Sequence, residues 1–311
     1  MLRLFQNILC PVDFSDYSIL AVRYASALAE EYDARLIVYH SVPNLEQVSI
    51  YLGGHYIQTV TEDLLSNGRE KLEEFASKLI PKRIETLKEI GKGNPPDAIL
   101  ELVKRESVDL IVMGTHGYTG YQKFLLGSVT NNVLHRCTVP VLAVCNPQHH
   151  FIHEDMPRPV NIQRILCAVD FEPNSKRIAA FALDLARTYA SQIDFLHIAR
   201  KEEGTDWFQK EKRAVQLMRE LVRPEQEEWC TARFLVEAGE PGMEILKAVQ
   251  RHGIDLVILG HHTRKPVEEY LLGSVAKRVI PAVACPALII RSEADLVYDP
   301  EELVGKQASA D

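Results

Sequence analysis

The strongest constraint on the fold of this chain is an internal repeat. The heptapeptide Ile8–Phe14 returns as Ile165–Phe171, 157 positions later and with six of its seven residues identical. Two further segments share a second spacing, of 146 positions: Asp109–Gly114 with Asp255–Gly260, and Leu125–Val129 with Leu271–Val275. One structural unit is therefore written twice, and the second copy is eleven residues shorter.

The length of the chain agrees with two copies. At 311 residues and 35.2 kDa it exceeds what one ordinary hydrophobic core holds. We place the missing eleven residues between Pro43 and Gln58, and the boundary in a polar, proline-containing stretch. The predicted organisation is a first domain at 1–146, a linker at 147–160, a second domain at 161–292 and a polar tail at 293–311.

Strand and helix patterns alternate within each copy. Stretches with helical spacing begin after Ser15, after a cap at Asn174 or Ser175, and at 129–136. This alternation predicts an α/β fold: two doubly wound parallel-sheet domains with helices on both faces. The apolar runs predicted as strands in the first copy are Ile8–Val12, Leu36–Val42, Leu110–Met113 and Val141–Val144.

Composition excludes several classes of protein. Hydrophobic residues make up 46% and charged residues 25% of the chain, as in ordinary globular proteins. The net charge is −8 and neither half is basic, which disfavours a nucleic-acid partner. We find no secretory signal pattern, no apolar run long enough to span a membrane, and no CxxC pair among six cysteines. These features predict a cytoplasmic protein.

One glycine-rich segment has the spacing of a phosphate cradle. Gly114 ends a predicted strand, Gly117 follows, and Gly127 and Ser128 come nine residues later, just before a predicted helix. Glycines let a phosphate approach the backbone, a helix N-terminus supplies N–H donors, and the Ser128 and Thr130 hydroxyls can donate as well. The alternative is that the glycines only turn the chain and that Ser128 caps the helix. Neither a GxxxxGK[ST] nor a GxGxxG motif is present.

This segment, with the strands Ile8–Phe14 and Asp109–Gly114, resembles the nucleotide-binding end of a universal stress protein domain. Because the motifs occur in both halves, the chain resembles a tandem member of that family. The resemblance implies five-stranded parallel sheets of the adenine nucleotide alpha hydrolase-like, Rossmann-like type, and a bound ATP, with Mg²⁺ on its phosphates. The nucleotide-binding residues that it implies are Pro11, Val12, Asp13, Ser41, Met113, Gly114, Gly117, Gly127, Ser128, Val129 and Thr130. Among these, the backbone of 11–13 would hold the adenine and 127–130 the phosphates.

The second half departs from the pattern. Thr263 stands where the second glycine of the motif is expected, and a β-branched residue there restricts the backbone and fills space. We therefore expect the first site to be the better one. The doubtful second site would comprise Val169, Asp170, Gly260, Gly273, Ser274 and Val275.

The resemblance also implies how the two halves assemble. In this family, the last strands of two domains pair with each other across a two-fold axis. Val141–Val144 and Ala287–Ile290 would then join the halves as an internal pseudo-dimer. A homodimer of the whole chain is compatible with this arrangement, and so is an unidentified protein partner.

Three functions stay open at this stage. The first is an ATP-binding stress-response regulator in which nucleotide occupancy modulates stability or partner choice. The second is a slow ATPase, which the sequence disfavours because it offers no identifiable catalytic base or arginine finger. The third is a scaffold, or a binder of another small molecule, with a degenerate nucleotide site.

Two sets of histidines and one set of cysteines have simpler interpretations. His149, His150 and His153 could ligate a metal, although exposed linker histidines usually do not. His40 and His197 occupy equivalent positions in the repeat and are interpreted as hydrogen-bonded residues rather than bases. The cysteines Cys10 and Cys167 lie in apolar runs and are interpreted as small buried hydrophobic residues.

Overall fold

The structure is a computed structural model. It describes residues 4–45, 54–115, 126–145, 148, 150–153, 159–172, 174–199, 206–222, 231–261 and 273–291, without the side chains of 54–57 and 261. In the first half the elements are β1 (Asn7–Pro11), α1 (Asp16–Tyr32), β2 (Arg35–Val42), α2 (Gly54–Leu79), β3 (Thr86–Lys92), α3 (Pro95–Arg105), β4 (Leu110–Gly114), α4 (Ser128–Arg136) and β5 (Val141–Val144). In the second half they are β6 (Arg164–Ala168), α5 (Ser175–Tyr189), β7 (Gln192–Ala199), α6 (Trp207–Arg219), β8 (Ala232–Ala238), α7 (Pro241–His252), β9 (Leu256–His261), α8 (Ser274–Val279) and β10 (Ala287–Arg291).

The strands form one sheet in the order β3-β2-β1-β4-β5-β10-β9-β6-β7-β8. Within each half all neighbouring strands are parallel. The two halves meet where β5 and β10 pair antiparallel, with Leu142 opposite Leu288 at the centre. The α/β fold, with its two five-stranded units paired inside one chain, is therefore confirmed.

The alternation of side chains along the strands divides the core into two layers. On one face, Ile8 and Leu36 pack with helices α1, α2, α5 and α6. On the other face, Leu9 and Ile37 pack with α3, α4, α7 and α8. Both faces are covered because βαβ crossovers place helices on either side, which explains why the strands are apolar without interruption.

The strand predictions are correct in place and differ by one residue at some ends. The structure also contains β3 and β8, the two outer strands, which the sequence patterns did not identify. Lys88 and Glu89 in β3, for example, break the apolar run that marks the inner strands. The length difference between the copies falls between β2 and β3, where α2 has 26 residues and its counterpart α6 has 13.

The stretch between the halves contains an element of regular pairing. Ile152 and Val160 form an isolated antiparallel bridge, and Phe151 between the halves is 1% exposed. The proline-containing stretch predicted as a linker thus includes this backbone bridge. The bridge forms because the apolar residues on both sides of the prolines are buried against the core.

Candidate functional site

A cavity of about 270 Å³ lies beyond the carboxyl ends of β1, β2 and β4 in the first half. In a doubly wound sheet this is the edge at which ligands bind. The cavity is lined by Pro11, Val12, Asp13, Ser18, Tyr39, His40, Ser41, Pro95, Ile99, Met113, Gly114, Gly127, Ser128, Val129 and Thr130.

Ten of the eleven residues named for the first site line this cavity, and Gly117 lies outside the described residues. The sequence reasoning missed five lining residues: Ser18, Tyr39, His40, Pro95 and Ile99. The repeat could have identified Ser18, because Ser18 and Ser175 are separated by the same 157 residues. Pro95 and Ile99 come from α3, whose approach to the strand ends is a tertiary feature.

Asp13 is held in a fixed orientation by two serines. Its Oδ1 accepts hydrogen bonds from the Ser15 Oγ at 2.5 Å, the Ser18 Oγ at 2.6 Å and the Ser15 N–H at 3.1 Å. The Asp13 N–H in turn donates to the Ser18 Oγ at 2.9 Å. The helix cap is Ser15, which accepts from the Ser18 N–H, so Asp13 orients the cap and does not itself cap α1.

The backbone expected to hold adenine is largely engaged within the protein. The Val12 N–H donates to the Tyr39 carbonyl at 2.8 Å, and the Val12 carbonyl is bonded by His40 Nδ1 at 2.8 Å. Because a carbonyl can only accept, His40 Nδ1 carries the hydrogen. The Asp13 N–H is used as well, by its bond to Ser18 Oγ, and Pro11 has no N–H. The expected contact of this backbone segment with adenine is therefore restricted to carbonyl acceptors.

The ring of His40 also fixes the turn after β1. It lies 4.4 Å from the Phe14 ring, and Phe14 has a positive φ of 65°. A left-handed backbone is costly for a side chain of this size, and the contact between the tilted rings helps to offset the cost. His40 is thus the hydrogen-bonded residue that the sequence predicted, and it is also part of the cavity wall.

The N-terminus of α4 opens on the cavity. Gly127 is the cap residue and Ser128 is the first helical residue, so the alternative interpretation, in which Ser128 caps the helix, is wrong. The Gly127 N–H donates to the Thr115 carbonyl at 2.7 Å. The backbone N–H groups of Ser128, Val129 and Thr130 fall in the first turn, where no intrahelical acceptor exists.

One of the two hydroxyls expected to donate to phosphate is already used. The Thr130 Oγ donates to the Gly114 carbonyl at 2.7 Å and ties α4 to the end of β4. A hydroxyl has one hydrogen, so Thr130 can offer a ligand only its backbone N–H and its oxygen lone pairs. The Ser128 side chain is exposed and lines the cavity, which makes it the hydroxyl donor of this turn.

In the part of the chain that the structure describes, few of the side chains that line the cavity can ionise. Asp13, His40 and Tyr39 are its titratable groups, and no lysine or arginine lines the cavity there. A phosphate would therefore depend on N–H donors and on the positive end of the α4 dipole.

The second half repeats the frame of the first. The Asp170 Oδ1 accepts from the Ser175 Oγ at 2.9 Å, and His197 Nδ1 bonds the Val169 carbonyl at 2.8 Å. Phe171 has a φ of 60°, and its ring lies tilted against the His197 ring with 4.4 Å between the centroids. Gly273 caps α8 as Gly127 caps α4, while Ser274 and Val275 start a helix of six residues. Gly260 pairs with Ile290 near the end of β9, and Thr263 lies outside the described residues.

Several other candidates have structural explanations, while His149 lies outside the described residues. His150 Nδ1 lies 3.1 Å from the Tyr24 hydroxyl, and among the residues described no group of three potential ligands could hold a metal. Cys10 and Cys167 are fully buried, as predicted, and burial raises the pKa of the Cys167 thiol to about 12. None of the helices in the described ranges is both long and apolar enough to cross a bilayer.

Comparisons with known proteins agree with this architecture. The family model "Universal stress protein family" matches residues 4–144 and again residues 161–291. The chain belongs to the universal stress protein family. It is 26% identical over 298 residues to a universal stress protein of Mycolicibacterium smegmatis, which covers 92% of this chain and 97% of that protein. It also shares the fold of a universal stress protein from Archaeoglobus fulgidus, with a TM-score of 0.63, 21% identity, and 93% and 96% of the two chains covered.

The family model matches the two halves separately, at 4–144 and 161–291, which identifies this chain as a tandem member. A universal stress protein solved in complex with cAMP is 27% identical and has a TM-score of 0.32; the match covers 45% of this chain and 97% of that one.

Proposed function

We propose that the first half binds an adenine nucleotide, with ATP as the expected ligand, and that occupancy regulates the stability or partner binding of this stress-response protein. The observation that carries the proposal is the cavity itself. Residues named from the glycine motif and from the first strand, 100 or more positions apart in sequence, meet around one space of about 270 Å³.

The chemistry of the cavity supports this ligand class. The first turn of α4 supplies backbone N–H donors to phosphate, and Ser128 supplies a hydroxyl. Met113 and Ile99 provide an apolar wall for a base, and Asp13 is oriented to accept from a ribose hydroxyl. One member of the family has been solved with the adenine nucleotide cAMP.

Magnesium is proposed to accompany the phosphates rather than to occupy a site made by the protein. The Asp13 Oδ1 already accepts three hydrogen bonds, so this oxygen is poorly suited to a metal. A triphosphate carries several negative charges, and the described lining has no basic side chain to balance them. A magnesium ion on the phosphates would reduce that charge before binding.

The experiment compares the same substitution at equivalent positions of the two halves. Binding of Mg-ATP, Mg-ADP, cAMP and Mg-GTP is measured by calorimetry on the full chain, alongside Gly127→Val and Gly273→Val. We expect one adenine nucleotide per wild-type chain, loss of binding in Gly127→Val, and retained binding in Gly273→Val. Retained binding in Gly127→Val, or equal binding of GTP, would contradict the proposal.

The same samples distinguish the alternatives. Denaturing the purified protein and separating the released nucleotides shows whether ATP or ADP is bound. ADP that accumulates from added ATP, and at a rate that falls in Gly127→Val, would favour the slow ATPase. No bound nucleotide and no change of Tm with Mg-ATP would favour a scaffold or another small-molecule ligand.

Several expectations from the sequence stay predictions. They are the weaker second site at Asp170, Gly260, Gly273 and Ser274, the domain limits at 146, 161 and 292, the homodimer, the protein partner and the cytoplasmic location.

A further inference from the structure

Two cysteines from different halves lie next to the paired strands at the junction: Cys145 directly follows β5, and Cys285 lies two residues before β10. The antiparallel pairing of β5 with β10 places Ala143 opposite Ala287, and the same register, continued by two residues, would place Cys145 opposite Cys285. Two further hydrogen bonds connect the segments there. The Cys145 thiol donates to the Val283 carbonyl at 3.2 Å, and the Gln148 N–H donates to the Ala284 carbonyl at 2.7 Å.

The alternation of side chains places both sulfurs on one face of the sheet. Cys145 and Cys285 belong to the same core layer as Ala143 and Ala287, whereas Val144 points to the other layer. Directly opposite residues of an antiparallel pair have Cα atoms about 4.5–5.5 Å apart. A disulfide needs a Cα–Cα distance of about 4.4–6.8 Å, so this register, continued to the two cysteines, would meet its geometric requirement.

This cysteine pair breaks the internal symmetry of the chain. The repeat spacing of 146 relates Cys145 to Arg291, and Cys285 to Val139. At the other end of the β5–β10 junction, the equivalent residues are therefore Val139 and Arg291. Arg291 donates to the His135 carbonyl. The repeat does not require cysteine at either position.

We propose that Cys145 and Cys285 are an oxidation site, at which a peroxide converts two free thiols into a disulfide that covalently joins the two halves. The terminal peroxide oxygen transfers to the Cys145 Sγ as the O–O bond breaks, which gives a sulfenic acid and one water. The Cys285 Sγ then displaces that oxygen: the S–S bond forms, the S–O bond breaks, and the thiol proton leaves with the oxygen as a second water. Two thiols lose two electrons in total, and one hydrogen peroxide becomes two waters.

Cys145 is assigned the first step because it is the more accessible thiol. Cys145 is 5% exposed and Cys285 is fully buried. Burial raises the pKa of the Cys145 thiol to about 11 and raises the pKa of Cys285 further. Since the thiolate is the nucleophile, the reaction is slow and responds to sustained rather than brief oxidation.

The test maps the link on the full chain. Protein is incubated with hydrogen peroxide, free thiols are blocked with N-ethylmaleimide in denaturant, and the peptides are analysed by mass spectrometry without reduction. We expect the peptides of Cys145 and Cys285 to be joined, two hydrogens lighter than their sum, and to separate with dithiothreitol. A stable sulfinic acid without a link, or a link of Cys145 to another cysteine or another chain, overturns the proposal.

Two variants separate the pair from general cysteine oxidation. Cys285→Ala should abolish the link, while Cys137→Ala, which alters a thiol of the same core layer, should keep it. The disulfide closes a loop of about 140 residues, so the oxidised wild type should melt about 5–10 °C higher than the reduced protein. Cys285→Ala should show no such increase with oxidation.

A refolding experiment removes the effect of burial on the rate. The chain is refolded from denaturant in a mixture of oxidised and reduced glutathione, where all thiols are initially accessible. The same link should form there. Its absence would show that the geometry is wrong, and a link formed in refolding but never from the folded protein would overturn the claim that peroxide acts on the folded state.

Discussion

The two halves of the molecule share the frame of the site and differ in the parts that would contact a ligand. In both, an aspartate is oriented by a serine five residues later, and a histidine bonds the carbonyl at the end of the first strand. The helix that opens on the cavity has nine residues in the first half, and its counterpart in the second has six. The frame therefore fixes the strand ends in each copy, and it does not by itself make a binding site.

A buried position of the sheet also differs between the halves. Ile37 pairs with Leu87 in the first half, and Asp194 pairs with Arg233 in the second. Asp194 is 1% exposed and forms two hydrogen bonds with the guanidinium, at 2.7 and 2.5 Å. A buried carboxylate depends on such a partner.

Removing the partner should have the largest effect on stability. Arg233→Leu leaves the Asp194 carboxylate buried without its guanidinium, and the free energy of unfolding should fall by about 3 kcal/mol. The double variant Asp194→Ile/Arg233→Leu installs the residues of the first half and should recover stability to within about 1 kcal/mol of the wild type. Urea denaturation measures both. A double variant less stable than Arg233→Leu would show that this part of the second half cannot accept the apolar pair.

The sequence predicted the fold well because its signals are local or repeated. Apolar runs identified the inner strands, and the repeat identified the two units. The outer strands were missed because exposed charges such as Lys88 interrupt their pattern. The sequence also did not reveal that groups expected to contact the ligand are hydrogen-bonded within the protein. The Thr130 hydroxyl and the Val12 carbonyl are bonded to groups that are distant in sequence.

The close approach of α1 to the end of β4 gives the second prediction. A Cβ at Gly114 would lie 2.8 Å from the Tyr17 Cβ and 3.1 Å from the Tyr17 carbonyl carbon and oxygen. Gly114→Ala should therefore cost about 2 kcal/mol, because backbone must move to relieve the contact. At Gly273 a Cβ would meet no atom of the described residues within 4 Å, so Gly273→Ala should lower the free energy of unfolding by less than about 1 kcal/mol. Equal losses in thermal denaturation would contradict this account.

Asp109, the first residue of the repeated segment Asp109–Gly114, should make the stability of the protein depend on pH. Asp109 accepts from the Gln6 N–H at 2.7 Å, and burial raises the pKa of its carboxyl to about 6. Since the folded state holds this proton more tightly than the unfolded chain, the contribution to stability is present below about pH 4 and is lost as pH rises to about 6.

Asp109→Asn tests this dependence. Between pH 4 and 6.5 the free energy of unfolding of the wild type should fall by about 1–2 kcal/mol because of Asp109, and the variant should not show this decrease. Asp255 accepts from the Gln163 and Arg164 N–H groups at the equivalent place, so Asp255→Asn is the matched control and should keep the loss. Chemical denaturation across the pH range measures all three. A loss of the same size in Asp109→Asn would assign it to another group.

The serine that orients the aspartate gives the smallest effect and the most direct comparison of the halves. Ser18→Ala removes the hydroxyl that donates to Asp13 Oδ1 at 2.6 Å and accepts from the Asp13 N–H. Ser175→Ala removes the equivalent bond to Asp170. Each variant should lose about 1 kcal/mol of stability, because each loses a hydroxyl contact of the same kind.

Only Ser18→Ala should weaken Mg-ATP binding, by about 5- to 10-fold, because only its aspartate lines the proposed nucleotide site. Calorimetry on both variants measures this difference. Equal weakening in both would mean that the second half binds as well, and no weakening in either would mean that the orientation of Asp13 does not contribute to binding.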